Sequence, residues 1–308
     1  MWRPLANKID LKRCVLSSPG KLNLFLYVTG KREDGFHDLY SLMVPISLCD
    51  ELVLDLARRD IRVSCDHPDV PGDATNLAGR AAALYIETCN VQGVALPFEG
   101  VGIHIDKNIP VGSGLGGGSS NAATVLVGLN RAAGGPLSEK TLAQIGRSLG
   151  ADVPFFIFGR PAFARGVGEL LEPVVDFPDC WAIVVNPGVS ASTIDVYKKL
   201  DFRLTSDSDY TIYTGSNDMT FTFDSGWGEN LHNDLERPSC KLYPEIELTK
   251  KEMAVLLGKT VHMSGSGSSL FALYPNHDGA KVDLRTLTNR WSGTGKDVFL
   301  VRVGQTTM

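Results

Sequence analysis

Apolar runs alternate with polar residues in the strand-like parts of the first half of the chain, and apolar residues recur at helical spacing in a few well-bounded stretches. Residues 15–29, VLSSPGKLNLFLYVT, read as two strand pieces on either side of Ser18-Pro19-Gly20. Residues 30–39 form a charged turn, GKREDGFHDL, and the β-like run YSLMVPISLCDELVLDL follows. Strand signals return near residues 61–65 and in VGIHID at 101–106. Between them Asn76 opens a helical segment, NLAGRAAALYIETC. A further helix is capped by Ser138, places Leu142, Ile145 and Leu149 on one face, and stops at Gly150. WAIVVNPG, at 181–188, reads as a buried strand that opens a second unit. That unit continues with a helix over about 243–257, a glycine/serine turn leading into a strand in HMSGSGSSLFALY, and a last helix and strand ending VFLVRV. Residues 205–230, rich in Ser, Thr, Asp and Gly, predict a long surface loop. Mixed elements with antiparallel signals predict an α+β fold in two units, 1–180 and 181–308, rather than a parallel doubly wound sheet.

Composition changes this picture little. The 308 residues are 43% hydrophobic and 21% charged, ordinary for a globular protein. A net charge of -5 argues against nucleic acid as the main partner, and no apolar run is long enough for a membrane span. The basic start lacks the apolar core of a secretory signal, so a cytoplasmic location is expected. The six cysteines are scattered with no C-x-x-C pair, which favours reduced, mostly buried thiols. The six histidines show no zinc spacing.

The chemistry concentrates in PVGSGLGGGSSNAA, residues 110–123. Glycines let a backbone take up positive φ and approach a ligand closely. Successive N–H groups in such a loop, followed by a helix N-terminus, make an anion site. Ser119 or Ser120 is the expected N-cap of that helix, over roughly 120–131. A flexible linker is the plainer alternative, but this stretch is framed by a strand and a helix. A Walker A loop needs a lysine after the glycines, and none is present. Gly112, Gly114 and Gly117 satisfy G-x-G-x-x-G, yet the motif lies far from a first βα turn and lacks the acid of a dinucleotide fold.

The loop resembles the phosphate loop of the GHMP kinases, a family of small-molecule kinases. PGKLNLFLYVTGKREDGFHDLYSL, NLAGRAAALY, LGADVPFF, PGVSASTIDVY, NDLE and MSGSGSSLF resemble further segments of one branch of that family, in the same order, between about residues 19 and 270. The resemblance implies an N-terminal nucleotide-binding unit of the ribosomal protein S5 domain 2-like kind and a ferredoxin-like C-terminal unit. It also implies ATP-dependent phosphorylation of the 2-hydroxyl of 4-diphosphocytidyl-2-C-methyl-D-erythritol, on the non-mevalonate route to isoprenoid precursors. Two substitutions depart from the branch: Gly20 stands where alanine is usual, and Phe36 where tyrosine is usual. The 205–230 stretch also looks longer than usual. A homoserine- or mevalonate-type kinase, or an inactive GHMP fold used as a binding module, are the alternatives. GKREDGFHDL with PGVSASTIDVY speaks against the first, and the presence of both Lys21 and Asp152 against the second.

By this resemblance Asp152 is the catalytic carboxylate, which would accept the hydroxyl proton and orient the oxygen; a capping or turn aspartate is the plainer reading. Lys21, a costly residue within an apolar strand run unless it faces solvent, would sit beside it, and Asn23, on the same face of the strand, would contact the substrate. Asn76, Lys107, Pro110, Gly112, Gly114, Leu115, Gly116, Gly117, Gly118, Ser119, Ser120 and Asn121 would line the ATP site. For Lys107 an exposed strand-end lysine is the alternative. Phe36 and Tyr197 would stack on the two sides of cytosine while His37 reads its edge, although Tyr197 also suits ordinary packing. Ser266 and Gly267 would close over the substrate. Magnesium is expected with ATP; Ser119 and Ser120 are candidate ligands, or the phosphates and water hold it. The partner is thus a small molecule, with oligomeric state left open.

Overall fold

Two long antiparallel strands form the spine of the molecule. β1 (Arg13–Lys31) and β2 (His37–Asp55) pair along almost their whole length, from Arg13 opposite Asp55 to Lys31 opposite His37. The structure, a computed structural model, describes residues 12–200, 227–229 and 231–304. The Ser18-Pro19-Gly20 break expected from sequence does not split β1. A proline has no N–H for the ladder and is tolerated at an irregularity, and the register shifts between Pro19 and Lys21 while the strand continues. The long loop expected at 205–230 falls almost wholly outside the described residues; only a 3-10 turn at Trp227–Glu229 is seen.

β3 (Ile61–Cys65) and β4 (Val101–Asp106) run parallel to each other, and β4 pairs antiparallel with β2. Between them α1 (Leu77–Val91) buries Ala78, Ala81, Ala82, Tyr85 and Cys89, a helical stripe of small and apolar residues. Asn76 caps it by accepting from the Ala78 N–H. α2 (Gly117–Ala132) is buried on most of its surface and packs between α1 and the β1–β2 ribbon. It begins earlier than the sequence suggests. Gly116, in the left-handed region, turns the chain into the helix, so Ser119 and Ser120 lie in its first turn and neither caps it. α3 (Glu139–Leu149) is capped by Ser138 as expected and ends at Gly150. α4 (Val153–Phe158), β5 (Ala162–Arg165) and β6 (Leu170–Pro173) follow, and β5 pairs with β2.

β7 (Cys180–Asn186) starts a second group of paired strands, β10-β7-β9-β8, with β8 at His262–Met263, β9 at Leu270–Tyr274 and β10 at Asp297–Val303. The two groups join where Val303 of β10 lies opposite Ile46 of β2. α5 (Thr193–Lys199), α6 (Glu236–Leu242), α7 (Pro244–Leu257) and α8 (His277–Trp291) cover this part. α6 has too few residues to show a helical stripe, and sequence pattern misses it. Every pairing between the described strands is antiparallel except β3 with β4, so the fold is α+β. Residues 22–28 at the centre of β1 are buried on both faces because β1 separates two apolar clusters. Among the described residues no helix is long and apolar enough to cross a membrane.

Candidate active site

A cleft of about 1030 Å³ opens where β1, the 110–119 loop, α5 and the turn at Gly265–Ser266 meet. One wall is made mainly of backbone. Gly112, Gly114 and Gly116 have φ of 65°, 77° and 73°. At Gly114 a Cβ would lie 2.5 Å from the Ser264 carbonyl oxygen, and at Gly116 it would lie 2.9 Å from the Phe156 ring. The glycines are therefore required both by conformation and by close approach. Gly117, Gly118 and Ser119 continue the wall at the start of α2, where no side chain caps the free N–H groups. An exposed helix N-terminus after such a loop suits phosphate.

Behind this wall lies a residue that the sequence reading missed. Asp50 is fully buried and accepts hydrogen bonds from Lys107 Nζ, Asn121 Nδ2 (2.9 Å), Asn108 N (2.9 Å) and Ile109 N (2.8 Å). Lys107 is therefore a paired, buried cation and not an exposed strand-end lysine. The missed signal is one of parity: Asp50 shares the inward face of β2 with Leu52 and Leu54, where a carboxylate needs partners. Asn121 also donates to Ser18 Oγ at 2.9 Å, and Ser18 donates to Ser120 Oγ at 2.8 Å.

The opposite wall is made of side chains. Lys21 Nζ lies 3.7 Å from Asp152 Oδ2 and donates to Asn23 Oδ1. Asn23 in turn donates to Ser41 Oγ at 2.8 Å, and Ser41 to the Phe25 carbonyl at 2.6 Å. Burial pushes the Lys21 ammonium below its ordinary pKa, and the Asp152 carboxylate opposes that shift. Asp152 stands at the N-cap position of α4 yet its side chain makes no capping bond, so it points to a role other than capping. At the far end of the cleft the His37 ring stacks on Tyr197, with centroids 5.0 Å apart and planes at 28°. Phe36, 61% exposed, sits at the mouth. Tyr197 thus meets His37 directly, while Phe36 lies in the turn before β2. Burial lowers the His37 pKa, with the Lys31 charge adding to it, and burial raises that of Tyr197, with Asp152 and Asp234 adding to it.

Most of the predicted residues line this one cleft, including Asn23, Asn76, Pro110, Gly112 and Ser266. Three do not. Leu115 is buried in the core and offers only its carbonyl, which accepts from the Lys21 N–H at 2.9 Å. Ser120 is wholly buried, its hydroxyl engaged by Ser18. Gly267 packs inward, where a Cβ would lie 2.8 Å from Met263 Sδ. Asn76 lines the cleft, but both ends of its amide are used by the chain, at Ala78 N and the Pro71 carbonyl. Ser266 Oγ meets Thr193 Oγ1 at 2.8 Å across the cleft edge. Among the described residues no group of three or more His, Cys, Asp or Glu is arranged to hold a metal ion.

Comparison with known proteins assigns the class first. Residues 76–160 match the GHMP kinases N terminal domain and residues 224–293 the GHMP kinases C terminal domain, so this is a small-molecule kinase of the GHMP type. A 4-diphosphocytidyl-2-C-methyl-D-erythritol kinase from Syntrophotalea carbinolica is 42% identical over 277 residues, 89% of this chain and 94% of that protein. A crystal structure of 4-(cytidine 5'-diphospho)-2C-methyl-D-erythritol kinase superposes with a TM-score of 0.74 at 34% identity, covering 94% of this chain and 99% of the other. The chain belongs to the 4-diphosphocytidyl-2-C-methyl-D-erythritol kinase family. Homoserine kinase from Cytophaga hutchinsonii, at 19% identity, a TM-score of 0.63 and 98% coverage of both chains, shares the fold alone.

Proposed function

We propose that the protein transfers the γ-phosphoryl group of ATP to the 2-hydroxyl of 4-diphosphocytidyl-2-C-methyl-D-erythritol, on the non-mevalonate route to isoprenoid precursors. The observation that carries this reading is the Lys21–Asp152 contact, placed across one cleft from the glycine loop. In the proposed reaction the hydroxyl oxygen forms a bond to phosphorus, the bond to the ADP oxygen breaks, and the hydroxyl proton passes to Asp152. Phosphoryl transfer needs little covalent chemistry from the protein, so positioning and charge stabilisation do most of the work. Lys21 holds the carboxylate and the reacting oxygen together, and Asn23 fixes Lys21.

On the nucleotide side Pro110, Gly112, Gly114, Gly116, Gly117, Gly118, Ser119, Lys107, Asn76 and Asn121 form the ATP wall, with Leu115 and Ser120 supporting it from beneath. The free N–H groups at the start of α2 suit phosphates. Magnesium bound with ATP would supply neutralisation of phosphate charge, and of the predicted pair only Ser119 lines the cleft, where its hydroxyl could help to hold the ion. On the acceptor side Phe36 and the His37–Tyr197 stack receive the cytosine, and Ser266 borders the substrate with Gly267 behind it. We place the division between the two units at 180/181 and the protein in the cytoplasm. A phosphate-transfer assay with ATP and the cytidyl substrate, run beside homoserine and mevalonate, tests the reading. Turnover of the cytidyl substrate alone is expected. Turnover of homoserine or mevalonate in its place, or ATP binding without turnover of any alcohol, would overturn it.

A further inference from the structure

The NDLE segment, residues 233–236, lines the cleft nowhere except at Leu235, yet it touches both halves of the molecule. Towards β1, the Leu26 N–H donates to the His232 carbonyl at 2.8 Å, and the Asp234 N–H returns to the Leu26 carbonyl at 3.0 Å. Asp234 Oδ2 also accepts from the Val28 N–H at 2.7 Å. Towards the turn after β8, Asn233 Nδ2 donates to two carbonyls at once, those of Met263 and Gly265, each at 2.8 Å. Its Oδ1 accepts from Leu235 N at 2.9 Å, so the amide is fixed at both ends. In α6 the wholly buried Ser239 donates to the next carbonyl of the same turn, that of Ser266, at 2.8 Å.

The turn held in this way lies against the catalytic strand. Gly265 has φ of 58°, and a Cβ on it would lie 3.0 Å from Asn23 Oδ1 and 3.2 Å from Lys21 Nζ. A turn at positive φ has few ways to keep that position alone. We propose that Asn233 and Ser239 are positioning residues: they hold the Met263, Gly265 and Ser266 carbonyls and so set the distance between this turn and Lys21–Asn23. Neither residue lines the cleft, so they act through the turn. The inference deepens the proposed function and rests on the acceptor alcohol binding between Lys21 and Gly265–Ser266.

Its test is Asn233→Ala and Ser239→Ala, with separate KM values for ATP and the cytidyl substrate, melting temperature, and hydrogen exchange of the 263–267 amides. Asn233→Ala is expected to raise the substrate KM roughly 10-fold, through loss of both part-buried bonds to the turn, and Ser239→Ala several-fold. The KM for ATP should rise several-fold less than that for the cytidyl substrate, since the loop touches this turn at Gly114 but is also held from the Asp50 side through Asn108 and Ile109. Exchange at 263–267 should quicken in both variants. A folded variant with unchanged substrate KM, or one in which both KM values rise together, overturns the positioning role. If Asn233→Ala does not fold, Ser239→Ala decides by the same criteria. Wild-type protein that ignores the cytidyl substrate while exchange quickens as expected would fault the proposed substrate and leave the clamp standing; unchanged exchange would sink the clamp whatever the substrate.

Discussion

The two walls of the cleft are built from different material. The wall proposed for the nucleotide is mostly backbone: glycines at positive φ, open N–H groups of α2, and a lysine whose charge is already matched by Asp50. The wall proposed for the acceptor is side chain: a buried Lys21 against a part-exposed Asp152, and an aromatic stack at the far end. A backbone wall recognises what every nucleoside triphosphate shares, its phosphates. A side-chain wall can take up a proton and distinguish one alcohol from another. Substitutions on the acceptor wall should therefore reach turnover and choice of substrate, and those on the nucleotide wall should reach ATP affinity.

The largest expected effect is on the acceptor wall. Asp152→Asn keeps the shape and removes the proton acceptor, and kcat should fall on the order of 10²-fold or more while calorimetry still detects ATP binding. Near wild-type turnover would remove Asp152 from the mechanism, and loss of ATP binding would blur the two walls. Next comes the nucleotide wall. Gly116→Val would set a β-branched residue at φ of 73° with its Cβ 2.9 Å from the Phe156 ring, and ATP affinity should drop by on the order of 10-fold or more. A folded variant with unchanged affinity counts against the loop.

Phe36→Ala should raise the apparent Kd of the cytidyl substrate by about 10-fold, within the ~1–3 kcal/mol of a base–aromatic stack, whereas Phe36→Tyr should change it far less. Tight binding by the alanine variant would leave recognition to His37 and Tyr197 alone. The smallest effect is one of pH. Lys21 carries its charge only below its folded-state pKa, which burial lowers from the ordinary lysine value. As pH rises through that value the ammonium is lost, so kcat should decline on the alkaline side earlier than for an ordinary lysine, with ATP affinity flat over the same range. A parallel fall of both would assign the titration elsewhere.

Elements whose signals are local were legible. Asn76 and Ser138 cap the helices they were expected to cap, and the strands at 61–65 and 101–106 stand where alternation puts them. Boundaries slipped where backbone geometry overrode composition. α2 begins at Gly117 because a left-handed glycine can turn the chain as well as a serine cap can. β1 continues through Pro19 because pairing with β2 on both sides carries it across the irregularity. Of the site, the glycine loop was legible from its own residues and the roles of Lys21 and Asp152 came from motif resemblance, while Asp50 and Asn233 have no short motif that states their function.

Strand and helix periods, caps and the glycine-rich loop were determined by the sequence itself, since each depends on the φ, ψ and polarity of a few consecutive residues. Which side chains meet was decided only by the tertiary structure. Lys21 reaches Asp152 because α4, packed on α2 and α3, brings the residue before its first turn to the cleft; His37 finds Tyr197 because the start of β2 and α5 border the same cleft; Asp50 gathers four donors because the loop after β4 and α2 converge on one buried position. Burial is what makes these meetings specific. A carboxylate or ammonium removed from water is stable only with its partners in place, and those partners come from distant parts of the chain that only folding brings together.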